Sequence, residues 1–425
     1  MIPILLISFF IFLALGFPIA VSLGLSSLVG LCWQPMNPMI VVQRMFVAVD
    51  SFPLMAVPLY MLAGFLMSSG GISRRLVAFS NALVGHITGG LAHVNILASM
   101  FFAGISGSAV ADTAGIGNIL IPSMVKQNYE RSYSTAVTAI SSTIGIVIPP
   151  SIPMVIIGAM LSVSVGKLFL GGILPGLIIG FCLMFTAYLI ARRKGFGKTH
   201  QRLSLKVVGQ TFFKAFWSLL MPVIIVGGIV GGVVTPTEAG AIAVTYALVV
   251  GIFIYRELTM PAIYECLWRT GFQTAKVFFV IATAGLYTWL LTANGFPILV
   301  GNFLLSITED PLIMMALIVV ILLIVTTFME SLATLILLLP ILFPVAQQVG
   351  IDPIYFGVMV VISIGIGLVT PPVGLCLYVA ADIAGVSIPR ASKALIPFIL
   401  TIMFFLGLLL FTPGLITAIP RLILG

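Results

Sequence analysis

The sequence FFAGISGSAVADTAG, residues 101–115, lies between two apolar runs and decides the fold that we expect for this chain. It contains two serines, a threonine, an aspartate and three glycines. Unpaired polar groups are costly in hydrocarbon, so a polar break at membrane depth is tolerated only where protein buries it. The stretch therefore predicts a helix interruption that the rest of the molecule encloses.

The composition of the whole chain is that of a membrane protein. Of its 425 residues, 61% are hydrophobic and 7% are charged, far from the balance of a soluble domain. Apolar segments long enough to cross a hydrocarbon core of about 30 Å recur from end to end. We therefore expect an all-α polytopic protein with one integral membrane domain, residues 1–425, and no nucleic-acid-binding role.

The net charge of +8 is concentrated in one segment of the chain. Lysine and arginine accumulate in cytoplasmic loops of membrane proteins, so this segment is predicted to be cytoplasmic. With that orientation, the N-terminus is expected in the cytoplasm and the C-terminus on the opposite face. The basic residues of the segment are Arg192, Arg193, Lys194, Lys198, Arg202, Lys206 and Lys214.

Hydropathy predicts nine crossings and two interrupted segments. The interrupted segments, residues 91–121 and 311–349, are broken by GISGSA and TTFMES and are expected to form re-entrant hairpins. The predicted crossings are residues 2–31, 53–70, 133–164, 168–190, 212–234, 238–256, 271–292, 353–384 and 389–412.

The chain contains an internal repeat with a shift of 222 residues, which aligns IGIVIPP (144–150) with IGLVTPP (366–372). Five predicted crossings separate equivalent points, so the second copy is expected to be inverted, as in secondary transporters. We expect transport elements at 91–190 and 311–412 and scaffold elements at 1–70 and 212–292. The repeats are placed at about 2–190 and 238–412, joined by the connecting segment 191–234.

The double prolines predict broken helices, because each proline removes a backbone donor and disfavours helical geometry before it. Freed carbonyls and nearby hydroxyls suit a hard cation such as sodium, whereas a single proline or small-residue cluster is more often a kink or a packing face. The first predicted ion site contains Ser106, Ser108, Gly145, Ile148 and Pro149. The second contains Thr326, Thr327, Gly365, Gly367, Thr370 and Pro371.

Two carboxylates fall within the interrupted segments. A carboxylate at the bilayer centre costs about 2.5–3.5 kcal/mol on insertion scales, which favours a role for Asp112 and Glu330 in the substrate cavity. Either residue could instead cap a helix at a hairpin tip. By contrast, Thr235, Pro236 and Glu238 predict a capping box that starts a helix. The predicted substrate cavity contains Ser108, Asp112, Pro150, Ser151, Thr327, Glu330, Pro371 and Pro372.

In order and spacing, FFAGISGSAVADTAGIGNILIP, IGIVIPPS, TPTEAGA and GLVTPPVG resemble the large membrane subunit of tripartite ATP-independent periplasmic (TRAP) transporters, in the ion transporter superfamily. The resemblance covers nearly the whole chain. It implies an elevator-type importer in the bacterial inner membrane, driven by two or more sodium ions and lacking an organic cofactor. The implied cargo is an organic acid such as sialic acid or a C4-dicarboxylate.

The resemblance also implies two partners: a small four-helix membrane subunit, expected as a separate chain, and a periplasmic substrate-binding protein. It places the family's second sodium site around Thr326, Gly367 and Thr370, although Thr326 stands where a small, glycine-like residue is expected. The family's first sodium site falls at Ser106, Gly145, Ile148 and Pro149.

Two other classes of protein remain as alternatives to a transporter. The sequence GISG at 104–107 resembles the motif of intramembrane serine proteases, but a nucleophilic serine needs a histidine within hydrogen-bonding reach. The only histidine after His93 is His200, in the basic segment. We therefore do not expect an enzyme. An ion channel could use the same polar residues, but paired hairpins favour alternating access.

Overall fold

The computed structural model describes residues 1–33, 37–197 and 203–424, and the regular secondary structure of these residues consists of helices. The predictions for Lys198, His200 and Arg202 lie outside the described residues. The first ten helices are α1 (Ile2–Ala14), α2 (Ile19–Trp33), α3 (Met39–Val49), α4 (Ala56–Ser69), α5 (Ile72–Val84), α6 (Gly90–Ser106), α7 (Ala109–Lys126), α8 (Arg131–Ser142), α9 (Ile152–Leu161) and α10 (Val165–Lys194). The others are α11 (Leu205–Val230), α12 (Pro236–Val249), α13 (Met260–Ala293), α14 (Phe296–Ile307), α15 (Pro311–Phe328), α16 (Ser331–Gln348), α17 (Pro353–Gly367), α18 (Leu375–Ala384), α19 (Ile388–Phe411) and α20 (Gly414–Leu424).

Eight helical segments in the described part of the chain are long and apolar enough to cross a membrane. Six coincide with predicted crossings, and the other two are α15 and α16, which together form the second interrupted segment. The protein is thus a multi-pass membrane protein. The eight segments are Phe52–Ser69, Val165–Lys194, Leu205–Val230, Pro236–Ile254, Met260–Ala293, Pro311–Phe328, Ser331–Gln348 and Ile388–Phe411.

The predicted capping box at the start of α12 is confirmed. The Thr235 backbone N–H donates to the Glu238 carboxylate over 2.7 Å, and the Glu238 N–H donates to the Thr235 hydroxyl over 3.3 Å. Pro236 occupies the first turn of α12, where a backbone N–H would have no acceptor within the helix, so its absence costs no hydrogen bond. These contacts satisfy backbone donors that the helix start would otherwise leave free.

The predicted single crossing at residues 2–31 is wrong, because this segment folds back as the antiparallel pair α1 and α2. Gly16 has a φ of 84° and Pro18 follows it, so the chain leaves α1 in a left-handed turn and cannot continue the helix. A Cβ on Gly30 would lie 3.2 Å from the Met1 side chain. The two outer ends of the pair therefore lie together.

The fold-back places the N-terminus beside the end of α13. The Asn294 amide lies 3.1 Å from the Met1 sulfur, just beyond the end of α13. At the other end of this helix, which is about 51 Å long, Glu257 binds Arg74 of α5. We call the Glu257 end of the molecule the basic face and the Asn294 end the distal face.

Each interrupted segment forms two helices joined by two residues. In the first segment, α6 ends at Ser106 and Gly107 adopts a φ of 60°, a left-handed conformation that favours glycine at this position. The second segment turns between Phe328 and Ser331 through two extended residues. We call α6 with α7 hairpin 1 and α15 with α16 hairpin 2.

The two hairpins open at opposite faces of the molecule. At the base of hairpin 1, the Gly89 N–H donates to the carbonyl of Gly197, which follows the end of α10 in the basic segment. Hairpin 2 has its base near the distal face, where a Cβ on Gly301 of α14 would contact Val345 at 3.5 Å. Because α14 directly follows α13, this contact fixes the base of hairpin 2 near Asn294.

Two helices are interrupted at the double prolines. The first passes from α8 through a 3-10 turn, Thr143–Ile146, and unwinds before α9 begins at Ile152. The second unwinds between the end of α17 at Gly367 and the start of α18 at Leu375. The structure therefore contains the predicted breaks in both helices. We call them break 1 (147–151) and break 2 (368–374).

The position of Met1 beside Asn294 predicts a labelling pattern. In a cysteine-free background, Pro3→Cys and Ala293→Cys are expected to react with an impermeant maleimide from the same side of the membrane. Lys194→Cys is expected to react only from the other side, because it lies at the basic face. Labelling in intact cells and in inverted vesicles measures this; reaction of positions 3 and 194 from one side would contradict the antiparallel pair.

Candidate functional site

The tip of hairpin 1 is docked onto break 1 through the backbone. The Ile152 N–H, at the start of α9, donates to the Gly107 carbonyl over 3.4 Å. A Cβ on Gly107 would lie 2.8 Å from the Pro150 carbonyl oxygen, so a larger residue would push the tip away from the break. The hairpin tip and the break thus provide hydrogen-bond partners for each other's backbone polar groups, which would otherwise lack them.

Three predicted site residues meet beside this contact. The Ser106 hydroxyl is hydrogen-bonded to the Asp112 carboxylate and accepts the Ser108 N–H over 3.2 Å. The Asp112 side chain is fully buried, and its second oxygen has no hydrogen-bond partner among the described residues. A Cβ on Gly145 would overlap that oxygen. Ser106, Asp112 and Gly145 therefore form one oxygen-rich cluster.

The remaining predicted residues of the first site lie in the unwound stretch. The Pro149 carbonyl oxygen is 3.6 Å from the position of a Cβ on Gly104, two residues before Ser106. Ile148 turns its side chain toward Gly176 of α10. Ser151 caps α9 and donates to the Ile146 carbonyl over 2.5 Å. The tip of hairpin 1 and break 1 thus bring hydroxyl, carboxylate and carbonyl oxygens together.

Hairpin 2 and break 2 repeat the same docking. The Val373 N–H donates to the Thr327 carbonyl over 3.3 Å, as Ile152 does to the tip of hairpin 1. Gly367 lies directly against Thr326, where a Cβ would overlap the threonine side chain. Thr326 donates its hydroxyl to the Leu322 carbonyl over 2.7 Å, which leaves its oxygen lone pairs available.

The other predicted residues of the second site are more dispersed. Gly365 faces the 3-10 turn before break 1, since a Cβ there would lie 3.7 Å from the Thr143 carbonyl oxygen. Thr370 donates its hydroxyl to the Ile366 carbonyl over 2.7 Å. Glu330 caps α16 by accepting the Ala333 N–H over 3.1 Å, the capping role that the sequence left open.

The residues predicted to line a substrate cavity differ in exposure. Ser151, Asp112 and Pro150 are buried, Ser108, Thr327, Glu330 and Pro371 are half-buried, and Pro372 is exposed. A cavity of about 270 Å³ lies instead between α3, α13, α9 and α16. Its cation is Arg44, whose guanidinium lies 4.4 Å from the centre of the Trp289 ring. The cavity thus lies between α3 and α13, which belong to the predicted scaffold elements, and α9 and α16, which belong to the predicted transport elements.

A buried polar network was missed by sequence reasoning. The Asn95 amide of α6 donates to the Thr138 hydroxyl of α8 over 2.6 Å. Ser141 donates to the Asn95 side-chain oxygen over 3.2 Å and accepts the Ser99 hydroxyl over 3.0 Å. The polar residues recur at helical spacing in both segments, which is the signal that was available. The network joins hairpin 1 and α8 into one unit.

Small residues form the contacts between hairpin 1 and the neighbouring helices α4 and α11. A Cβ on Gly64 of α4 would lie 3.2 Å from the Ser106 Cα, and one on Gly115 of α7 would lie 3.6 Å from the Ser68 hydroxyl. A Cβ on Gly104 would lie 2.8 Å from Pro222 of α11. Hairpin 1 therefore approaches α4 and α11 closely at these three glycines.

The geometry does not support the serine protease alternative. The polar contacts of Ser106 are with Asp112 and Ser108. His93 lies near the other end of α6, about 20 Å along the helix, where its ring nitrogen is 3.2 Å from the Thr88 carbonyl oxygen. His93 therefore cannot take a proton from Ser106.

Comparisons with known proteins agree with the fold. The chain is 40% identical over 383 residues to the sialic acid TRAP transporter large permease protein SiaM of Vibrio cholerae, with 90% of each chain covered. It is 38% identical over 401 residues to the C4-dicarboxylate TRAP transporter large permease protein DctM of Pseudomonas aeruginosa, with 94% of each covered. Identity to the isethionate TRAP transporter permease protein DctMQ of Oleidesulfovibrio alaskensis is 39% over 424 residues, 100% of this chain and 66% of that protein.

A solved structure, the YdaH transporter of Alcanivorax borkumensis, matches with a TM-score of 0.58 at 16% identity, over 87% of this chain and 86% of the other. This likeness concerns the fold alone. The model of the family described as "Tripartite ATP-independent periplasmic transporter, DctM component" matches residues 6–415. With the relatives above, this match establishes that the chain belongs to the TRAP transporter family as a large membrane permease.

Proposed function

We propose that the chain is the translocating subunit of a sodium-coupled importer of a small organic acid. The observation that carries the proposal is the pair of hairpin tips docked onto two helix breaks, by Ile152 on Gly107 and by Val373 on Thr327. Such discontinuous helices form the substrate and ion sites of secondary transporters near the bilayer midplane.

The residues of the first cluster fit sodium better than a transition metal. No group of three or more His, Cys, Asp or Glu residues able to hold a metal occurs in the described ranges. Oxygen donors dominate, and hard cations prefer oxygen ligands. The Asp112 oxygen that has no hydrogen-bond partner among the described residues adds a further oxygen to this cluster. Ser106, Gly145, Ile148 and Pro149 would hold the first ion through hydroxyl and carbonyl oxygens.

A second ion would bind beside hairpin 2. Thr326 and Gly367 are in direct contact, and Thr370 lies three residues further along the break. Gly365 would contribute by letting α17 pack closely against the 3-10 turn before break 1, since a Cβ there would lie 3.2 Å from the Ile146 side chain. We therefore do not propose that Gly365 coordinates the ion directly. Thr326, Gly367 and Thr370 would coordinate it.

An organic anion suits the region between the tips. Four helices, α7, α9, α16 and α18, begin at the tips and breaks, and helix N-termini carry partial positive charge. Sialic acid, C4-dicarboxylates and isethionate appear in the names of the relatives, and each is an acid. We propose a carboxylate or sulfonate as cargo, delivered by a periplasmic substrate-binding protein.

We propose an elevator mechanism in which one set of elements moves against the other. Segments 91–190 and 311–412 would move as one unit against a scaffold made from 1–70 and 212–292, with the two repeats inverted. The opposite openings of the hairpins and the small residues between hairpin 1 and α4 support this motion. Cavity residue Arg44 lies on the scaffold side of the same boundary.

The coupling energy is sufficient for accumulation. Two sodium ions crossing about 100 mV release about 4.6 kcal/mol, and one negative charge carried with them subtracts about 2.3. A tenfold sodium gradient adds about 1.4 kcal/mol per ion. The net of about 5 kcal/mol would support an accumulation of more than a thousandfold.

The proposed setting is the bacterial inner membrane, with the basic face in the cytoplasm. In this orientation both the N-terminus and α20 lie on the periplasmic side, near the binding protein. A small four-helix membrane subunit would pack on the exposed apolar scaffold surface. Phe10 of α1 and Phe46 of α3 are each more than three-fifths exposed on that surface.

Loss of the Ser106 hydroxyl is expected to weaken sodium binding. Ligand binding raises the free energy of unfolding by RT ln(1 + [L]/Kd), so sodium should raise the melting temperature of the purified chain above its value in potassium. Ser106→Ala should reduce this rise and increase the sodium concentration needed for vesicle uptake by about tenfold. Ser306→Ala, an exposed serine bonded to its own helix, is the control. An unchanged sodium response of Ser106→Ala would refute the first site.

Gly145 and Gly367 lie beside the two breaks. Adding a methyl group at either glycine is expected to push the break away from its hairpin. Gly145→Ala and Gly367→Ala should lower the free energy of unfolding by about 1–3 kcal/mol, the usual cost of overpacking. They should also diminish uptake. Gly227→Ala is the matched control, because a Cβ there has no neighbour within 4 Å. Thermal unfolding in detergent measures the effect; equal stability of all three variants would show that neither glycine packs as described.

An elevator motion is expected to stop when hairpin 1 is cross-linked to α4. A disulfide between Ser68→Cys and Gly115→Cys should block uptake, and a reductant should restore it. The control joins two scaffold helices: Ser69→Cys should pair with the natural Cys266, whose sulfur lies 3.3 Å from the Ser69 hydroxyl. Full uptake by the oxidised Ser68–Gly115 pair would exclude sliding at this contact.

A further inference from the structure

A second cavity of about 270 Å³ lies at the basic face, away from the breaks. It is enclosed by the start of α5, the first half of α11 and the loop between α12 and α13. Its lining contains Arg74, Arg75, Ala78, Thr211, Lys214 and Glu257. With three cations and one carboxylate, the lining carries a net charge of +2, which favours an anionic ligand.

The cationic side chains are positioned by their neighbours. Both oxygens of Glu257 are engaged, one with Arg74 at 2.6 Å and the other with Arg75 at 2.7 Å. Arg75 also donates to the Gly71 carbonyl over 2.9 Å and lies 3.7 Å above the centre of the Tyr255 ring. The Tyr255 hydroxyl donates in turn to the Lys214 carbonyl over 3.1 Å, which ties the loop to α11.

Donors remain for a ligand after these contacts. The Arg74 side chain is 72% exposed and makes one ion pair, so most of its five N–H groups are free to bind. Lys214 is exposed, and no salt bridge involves it within the part of the chain that the structure describes. A guanidinium fork beside an ammonium group matches the geometry and charge of a phosphate.

The position of the cavity favours a ligand that is attached to the membrane. Phe213 is 75% exposed and Trp217 is 39% exposed on either side of Lys214. Aromatic side chains of this kind concentrate at the membrane interface, where lysine extends its ammonium group toward the lipid headgroups. Basic pockets between helices on the cytoplasmic side suit anionic headgroups.

We propose that this cavity binds a phosphate group, the chemistry shared by the headgroup of an anionic phospholipid and by free inorganic phosphate. Arg74 and Lys214 contact the phosphate oxygens, while Arg75 and Glu257 hold Arg74 in place. Because α5 leads directly into hairpin 1, the bound group stabilises the position of α5 and of the base of that hairpin. The site is independent of the ion sites at the breaks.

Native mass spectrometry of the purified chain tests the proposal. After reconstitution in bilayers of one-quarter phosphatidylglycerol and three-quarters phosphatidylethanolamine, the chain is expected to retain phosphatidylglycerol selectively. Arg74→Gln with Lys214→Gln should weaken retention by about tenfold or more. Lys214→Gln alone, which breaks no ion pair, should weaken it measurably even if the double variant folds poorly. Arg192→Gln with Arg193→Gln removes two exposed cations outside the cavity and should leave retention unchanged.

A competition experiment distinguishes the two sources of phosphate. Displacement of phosphatidylglycerol by millimolar inorganic phosphate would identify a soluble ligand in the same site, whereas retention would identify the lipid headgroup. Equal retention by wild type and Lys214→Gln would overturn the proposal. Equal loss in the Arg192 and Arg193 control would also overturn it, by reducing the effect to general surface attraction. These readouts do not depend on transport.

Discussion

The structure depends on satisfying backbone groups that two pairs of prolines release inside the membrane. Around residues 147–151 and 368–374 the chain cannot complete its helical hydrogen bonds, and hydrocarbon offers no water in their place. Each hairpin tip supplies a partner, as Gly107 does for Ile152 and Thr327 for Val373. A break without its hairpin would leave polar groups unpaired at a cost of several kcal/mol each. Hairpins and broken helices are therefore one structural unit, and the oxygen-rich clusters are a consequence of their docking.

Close backbone approach is the second requirement, and glycine meets it at several contacts of this unit. Gly145 admits the Asp112 carboxylate, Gly367 admits Thr326, and Gly365 lets α17 pack against the 3-10 turn before break 1. Gly64 likewise allows hairpin 1 and α4 to approach each other closely. Inside the unit, however, hydrogen bonds such as that between Asn95 and Thr138 hold the helices together. These two features suit the proposed movement of hairpin 1 and its broken helix as one unit.

The sequence predicted the breaks, the hairpin tips and the capping box at Glu238 because prolines, glycines and capping residues act locally. It did not predict the fold-back of α1 and α2, although Gly16 and Pro18 carried the signal, because apolar length alone suggested one crossing. Short helices outside the predicted crossings, such as α5 and α14, were also missed. The pairing of Asp112 with Ser106 and the capping by Glu330 depend on tertiary geometry. Sequence could name these carboxylates as unusual but could not assign their partners.

The central claim is that the two docked breaks bind the coupling ions. Experimental density maps of the purified chain in sodium and in choline test it most directly. The account predicts ion density in sodium only, between the oxygens of Ser106, Gly145 and Pro149 and again beside Thr326 and Gly367. Identical maps in both salts, or continuous helices through residues 147–151 and 368–374, would contradict it.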